Sequence, residues 1–539
     1  MSRAETSLSR HIFAENFSGI VAQVADFLMS NGPKTMAMIG RGCRTSVVKV
    51  QRALRILIQH HFVTMLPSDT PIYRINNDAV LNLLRYPKYL QLVGQKLGVD
   101  AQVLVEQIIK CGELPVSKLL FICGAEILES NPSLSDDQLN QQISSLYVTV
   151  KMLAEFQFII QSINLGKEEE PLSEAEKEAK NSTVDLSLFV VPNVTMNELI
   201  AQVKEQEKGN VSKFPDSDVY FKVNLKKFQE ALRNQLVLKA LERKYKPMVD
   251  PKLFEIIVDL GFAKHPWEKE SIPVSVNEVA DIIRKAIGDS PIIKYIDEHF
   301  DILEQDPLRI FTKLGTNYGG QFVFSMKEVF THIMWSTIER TVTDRHGYHA
   351  ARIFRLIKEN KFVEQERIQE LGMIPAKEAK HLTYKLVNDR FVVVKEVRKS
   401  YSVGGIPGKI AFLFHVDLNQ VVLALMESCY KSMVNCKTRQ RKEWLKNSQL
   451  LRKEDRINRI LAKMQSQQCT EEQMSEIQEL ITPPERAVLM RHEAKTTTLM
   501  SGVMHLDETI FIIQMYLFYN QKKPPPKSGR NRQKQNVIE

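Results

Sequence analysis

Apolar positions along this chain recur at helical and strand spacing, and one junction between the two spacings returns four times. In IPAKEAKHLTYKLVNDRFVVVKEV (374–397), Leu382, Leu386 and Val387 fall at helical spacing, Asn388 and Asp389 interrupt them, and Phe391 opens a valine-rich run. The pattern predicts helix, tight turn, strand. Upstream, RIFRLIKEN (352–360) and VEQERIQELG (363–372) predict two further short helices, the second stopped at Gly372. Downstream, SVGGIPGK supplies a glycine-rich loop and KIAFLFHV a returning strand. Three helices, a strand, a loop and a strand make a helix-turn-helix with a β-hairpin wing.

The helix-to-strand junction is marked by two apolar anchors five residues apart. They are Leu57 and Phe62, Leu153 and Phe158, Leu303 and Leu308, and Leu386 and Phe391. The first copy repeats its context as well, and the third is interrupted by Pro307. Winged-helix units are therefore expected at 12–80, 98–165, 220–330 and 331–416, with a flexible charged linker at 166–219, where GKEEEPLSEAEKEAK holds few apolar residues. From 417 to 520 the apolar spacing predicts long helices, a helical hairpin or coiled-coil module, in which Thr482 and Glu485 have capping-box spacing around TPPE. Residues 521–539 form a basic, Pro-rich tail expected to be disordered. The fold class is mainly α with small β wings: four tandem winged helices followed by the helical module.

A length of 539 residues exceeds one hydrophobic core, and 43% hydrophobic with 25% charged residues is the composition of a globular protein. The longest apolar run near the C-terminus, IFIIQMYLF (510–518), is far short of a bilayer span, so no membrane contact is expected. Six cysteines without a C-x-x-C pair give neither a disulfide scaffold nor a zinc ribbon. The segment Gly404–Ile410 is one residue short of a phosphate loop and has isoleucine where magnesium needs a hydroxyl. His346 and His349 are three apart, yet no cysteine or carboxylate is placed to complete a metal sphere. No catalytic constellation emerges, so no enzyme, cofactor or metal is expected.

The net charge of +9 suits a polyanion partner. In the fourth unit, Lys377, Lys380 and Lys385 accompany the third helix, and Arg398, Lys399 and Lys409 flank the wing. In the first unit, Arg44, Lys49, Arg52 and Arg55 lie on or before the equivalent helix, with Gln51 as a possible base reader. Lysine contacts phosphate better than base edges, so DNA contact here implies low sequence specificity. Residues 437–463 hold ten Lys/Arg against three acids, a face suited to phosphates or to an acidic protein tail, with Lys446, Arg452, Lys453 and Arg456 as the candidates for the tail.

Six segments then occur in a fixed order: LLRYPKYL (83–90), HAARIFRLI (349–357), GMIPAKEAK (372–380), CYKSM (429–433), ITPPER (481–486) and LDETIF (506–511). Together they resemble the third RPC subunit family of nuclear RNA polymerase III, the large member of its initiation heterotrimer. The resemblance runs from about Phe17 to Tyr519 and implies a nuclear, noncatalytic subunit similar to the large subunit of the general factor TFIIE. It further implies a seat on the clamp of the largest polymerase subunit, beside one winged-helix partner and one partner with an acidic tail. Roles in promoter recruitment, DNA opening and contact with single-stranded or upstream DNA at small noncoding RNA genes follow from the same resemblance. Relatives can carry a longer basic insertion between the second and third domains, whereas the linker here is Glu-rich. Two other readings of the residues stay open: a winged-helix scaffold that binds only proteins, and a free-standing DNA-binding regulator. Winged helices first and coiled coil last argue against a solenoid-type scaffold.

Overall fold

The computed structural model describes residues 2–66, 70–130, 136–162, 186–194, 216, 219–246, 248–288, 291–314, 320–398, 410–466 and 471–521. The chain forms two compact units, Met1–Leu232 with Leu418–Ile510, and Arg233–Asp417 with Phe511–Glu539.

In the first unit, α1 (Arg3–Asn16) and α2 (Gly19–Asn31) precede β1 (Lys34–Thr35), α3 (Met36–Cys43), α4 (Val47–Gln59), β2 (Val63–Leu66) and β3 (Ile72–Ile75). The sheet order is β1-β3-β2, with β3 returning antiparallel against both neighbours. Helix α4 buries Val50, Ala53, Leu54 and Leu57, one stripe at 3.6 residues per turn. Its end explains the five-residue anchors. His61 stands at φ 58°, and the Phe62 N–H donates to the Leu57 carbonyl at 2.9 Å. A left-handed residue followed by a bond reaching five residues back is a Schellman cap, which brings the two flanking apolar side chains together.

After α5 (Asn77–Asn82) and α6 (Tyr86–Leu97), the second winged helix comprises α7 (Val99–Cys111), α8 (Val116–Ser130), α9 (Asp136–Glu155) and β4 (Ile159–Gln161). The same cap recurs: Gln157 at φ 62° and Phe158 N–H to the Leu153 carbonyl at 2.9 Å. The returning strand is β5 (Phe221–Val223), paired antiparallel with β4. This corrects the boundaries expected at 165 and 220: residues 221–223 belong to the sheet of the second unit, and the charged stretch is an insertion in its wing. Parts of that stretch are fastened to the domain. Tyr147 donates to the Pro192 carbonyl at 3.1 Å, Gln161 to the Val190 carbonyl at 2.7 Å, and Asp216 accepts from the Ser117 N–H at 2.8 Å. The first strand of this sheet is reduced to a single bridge, Leu114 to Phe221. Its core runs from Tyr89 to Phe228, so residues on both sides of the insertion build it.

Helix α10 (Leu225–Tyr245) leads to α11 (Pro251–Gly261), β6 (Val274–Ser275), α12 (Val276–Ile287), α13 (Ile296–Glu304), β7 (Phe311–Leu314) and β8 (Gln321–Phe324), with sheet order β6-β8-β7. Here the expected anchor is corrected. Leu308 is 36% exposed, whereas Ile310 is 1% exposed and follows the left-handed Arg309. Asp306 causes the longer turn by accepting from the Leu308 N–H at 3.2 Å while Lys244 and Tyr245 hold its carboxylate. Burial raises the Asp306 carboxyl, but those two hydrogen bonds prevail and hold it below the usual carboxylate range.

The fourth winged helix follows α14 (Met326–His346) as α15 (Tyr348–Asn360), β9 (Val363–Glu364), α16 (Gln365–Gly372), α17 (Ala376–Asn388), β10 (Val393–Arg398) and β11 (Ile410–His415), with sheet order β10-β11-β9. Arg390 at φ 63° and the Phe391 N–H to the Leu386 carbonyl at 2.9 Å complete the repeated cap. The chain then forms α18 (Leu418–Ser466), α19 (Glu471–Glu479) and α20 (Pro483–Asn520). Among the described residues no helix is long and apolar enough to cross a membrane.

Candidate nucleic-acid and partner interfaces

In the first winged helix, Arg44 makes the turn between α3 and α4 in a left-handed conformation at φ 51°. With Val50, Ala53, Leu54 and Leu57 buried, helical geometry turns Val48, Gln51, Arg52, Arg55 and Gln59 outward, with Lys49 beside them. Arg44, Lys49, Arg52 and Arg55 are all exposed. The far end of this face is tied down, because Gln59 donates to the Cys111 carbonyl at 2.7 Å. Gly112 lies so close there, at φ +86°, that a Cβ would meet the Gln59 carbonyl oxygen at 2.5 Å. His61 sits 2.6 Å from Glu113, which also accepts from Ser162 at 2.7 Å. Burial raises the Glu113 carboxyl, but these two partners outweigh it and hold the group below its ordinary range.

In the fourth winged helix, Met373 makes the matching turn at φ 49°. Helix α17 buries Ala379, Thr383 and Leu386, leaving Lys377, Lys380 and Lys385 exposed. Leu382 and Val387 are half-buried rather than central. Charges of both signs occur on α14, α15 and α17. Glu378 is 2.7 Å from His349, while Glu339 takes Arg355 at 3.1 Å and Lys358 at 2.8 Å. His346 faces Asp389 at 3.0 Å, so the two histidines go to separate carboxylates. Arg398 ends β10, and Lys399 and Lys409, like the loop around Gly404, lie outside the described residues.

The basic run of α18 divides in two. Lys437 is buried against Glu15 at 2.7 Å and joins the helical module to α1. Arg439 at 2.9 Å and Lys495 at 3.5 Å share Glu443. Lys453 is not a free cation: it holds Glu485 at 2.8 Å. That hydrogen bond and the Thr482 N–H keep the Glu485 carboxyl at about 2. Lys446, Arg452 and Arg456 remain exposed, and the latter two line a shallow groove with Arg459.

Sequence reasoning missed a charged cluster inside the family-like segments. Arg85, from LLRYPKYL, meets Asp507, from LDETIF, at 3.0 Å with both side chains nearly fully buried. Lys88 donates to the Met504 carbonyl at 3.0 Å and lies 3.7 Å from Asp507. Tyr430, from CYKSM, adjoins the cluster, and burial pushes its hydroxyl up to about 12. Charged residues inside distinctive segments were the available signal, but a pairing across 422 positions leaves no trace in local spacing. These segments meet inside unit 1, where removal of either ion would leave the other buried without its counterion.

Comparison with known proteins agrees with this arrangement. A family model for the RNA polymerase III subunit RPC82 helix-turn-helix domain matches residues 7–68, and one for RNA polymerase III subunit RPC82 matches 160–333. The POLR3C C-terminal winged-helix domain matches 338–416, and the helical hairpin domain of DNA-directed RNA polymerase III subunit RPC3 matches 449–512. The chain is 26% identical to DNA-directed RNA polymerase III subunit RPC3 of Homo sapiens over 545 residues, covering 97% of this chain and 100% of the relative. The Danio rerio subunit is 26% identical over 544 residues, with 96% and 99% covered. The Aspergillus niger subunit is 19% identical over 641 residues, with 96% and 100% covered. With winged helices, helical hairpin and end-to-end similarity in agreement, the chain belongs to the RNA polymerase III subunit RPC3/RPC82 family, a noncatalytic subunit of that polymerase.

Proposed function

We propose that this subunit works in the nucleus as the large member of a heterotrimer on the polymerase clamp, with one winged-helix partner and one acidic-tailed partner. There it supports promoter recruitment and DNA opening for small noncoding RNA genes such as those for tRNA and 5S rRNA. The observation that carries this reading is the end-to-end similarity to RPC3 subunits, 97% of this chain against the whole human relative. Contact with single-stranded or upstream duplex DNA is made through phosphates, without strong base selection, because the exposed charged side chains on the third helices are, apart from Glu378, cations: Lys49, Arg52 and Arg55 in the first unit and Lys377, Lys380 and Lys385 in the fourth.

The acidic-tailed partner is assigned to the exposed Lys446, Arg452 and Arg456. Lys453 is left out because Glu485 already neutralises it. Purification of the tagged chain from nuclear extract tests the whole reading. Polymerase III subunits are expected in the eluate, and their absence sinks it. Charge reversal of Lys446, Arg452 and Arg456 is expected to weaken heterotrimer assembly while leaving the fold intact; unchanged assembly removes the tail assignment. For the fourth winged helix, protein contact is the second reading. Tyr348 and Met373, each 83% exposed, supply apolar surface beside the basic helix.

A further inference from the structure

We infer that the helix-turn-helix of the first winged helix, rather than that of the fourth, carries this subunit's contact with the phosphates of a nucleic-acid duplex. The inference rests on the DNA-contacting role proposed above and assigns that role to one surface. Residues 27–68 contain no Asp or Glu, yet they hold Lys34, Arg41, Arg44, Lys49, Arg52 and Arg55. Residues 348–415, the fourth unit, contain seven carboxylates. A phosphate path tolerates cations and rejects carboxylates; α3 and α4 carry none, with Asp26 on α2 and Glu113 beside His61 at their border, whereas α16 and α17 carry Glu366, Glu370 and Glu378 themselves.

Among the described residues, the side chains of these six cations have no hydrogen-bonded or ion-paired partner. In the fourth unit Arg355 and Lys358 on α15 are committed to Glu339, while Lys377, Lys380 and Lys385 on α17 are, among the described residues, as unpaired as the cations of α4, so it is the carboxylate Glu378 on α17 rather than pairing that sets the two third helices apart. Binding a phosphate at α4 therefore breaks no internal pair. Five of the six are exposed, and Lys34 is half-buried.

The arrangement within α4 favours a nucleic acid over a protein partner with an apolar contact patch. Protein interfaces place apolar residues centrally and charges at the rim. Here Arg52 and Arg55 stand at the centre of the outward face with Val48 and Gln59, while the exposed Val47, Ile56 and Ile58 lie at its flanks. Arg44 and Lys49 extend the positive surface at the start of the helix, where a groove-inserted helix passes the backbone. The anchoring of Gln59 at Cys111 and the close approach at Gly112 hold this face rigidly against the second winged helix.

The full-length chain, titrated into a fluorescently labelled duplex of scrambled sequence at several salt concentrations, provides the test. Arg52→Glu with Arg55→Glu is expected to weaken binding about tenfold or more and to reduce the salt slope by about two. Lys377→Glu with Lys380→Glu is expected to leave affinity within about twofold, and Arg52→Lys with Arg55→Lys to retain most of it. Unchanged melting curves show that each variant is folded. Should the α4 reversal leave binding intact, or the α17 reversal weaken it as much, this assignment falls while duplex binding itself stands. If the wild-type chain binds a polyglutamate peptide through Arg52 and Arg55 but no duplex, the surface belongs to an acidic protein. The assignment then falls too, together with direct DNA contact by the free subunit, whereas recovery of polymerase from extract is unaffected.

Discussion

In the first winged helix the turn before the third helix is made by Arg44, and in the fourth by Met373; both residues stand in the left-handed region. The third helices then end on the same cap, Leu57 to Phe62 in one and Leu386 to Phe391 in the other, each with a 2.9 Å backbone bond. Backbone and core are thus repeated, while the placement of carboxylates differs. Among the described residues the first leaves six cations unpaired in a stretch without carboxylates, and the fourth leaves Lys377, Lys380 and Lys385 unpaired beside Glu378. The fourth interleaves acids and bases, pairs several of them internally, and exposes Tyr348 and Met373. The lesson is that a winged helix is defined by its caps and its apolar stripe, while its partner is selected by side chains that the fold does not constrain.

Breaking the shared part should affect both units alike. Phe62→Ala and Phe391→Ala each remove a buried ring and are expected to cost about 3–5 kcal/mol in denaturant unfolding; a much smaller loss in either would show that the cap is not equivalent in the two. The buried ion pair of the compact unit Met1–Leu232 with Leu418–Ile510 should matter more than the partly exposed pairs beside the fourth winged helix. Arg85→Ala strands the buried Asp507 and is expected to cost about 3 kcal/mol, at the low end for buried pairs because Lys88 stays nearby. Glu339→Ala, which releases the partly exposed Arg355 and Lys358, should cost about 1 kcal/mol or less.

The third unit sharpens the repeat. Ile310→Ala is expected to destabilise by about 2 kcal/mol or more and Leu308→Ala by about 0.5 kcal/mol or less, the reverse of what five-residue spacing implies. The smallest effect is a pH dependence in the helical module. Glu485 is held at about 2 in the fold, below its ordinary carboxylate value. Its contribution is therefore complete above the unfolded pKa and is lost as pH falls through the folded one. Removing Lys453 should lower the melting temperature slightly and equally at neutral and mildly acidic pH, with the difference from wild type closing only in strong acid. A difference that closes between pH 7 and 5 would contradict this assignment.

The helix-to-strand junctions were legible because a Schellman cap places its two apolar residues five apart, so Leu57 and Phe62 mark it in the sequence. The third junction was misread because Asp306 and Pro307 lengthen the turn, a matter of local hydrogen bonds that apolar spacing does not encode. The boundary after the second unit was misplaced for a topological reason. Strand β5 is only three residues long and lies beyond a charged insertion, so nothing local assigns it to β4. Among the candidate surfaces, the exposure of Lys49, Arg52 and Lys377 followed from helical periodicity. The pairing of Lys453 with Glu485 and of Lys437 with Glu15 did not, because both join residues distant in the chain.

A crosslinking map of the assembled polymerase on an open promoter tests the contrast between the two winged helices most directly. With photoreactive groups along the DNA, peptides containing Arg52 and Arg55 are expected among the crosslinks from this subunit, and peptides containing Lys377 and Lys380 among its protein–protein crosslinks. DNA crosslinks confined to Lys377–Lys385, with none on α4, would contradict the account.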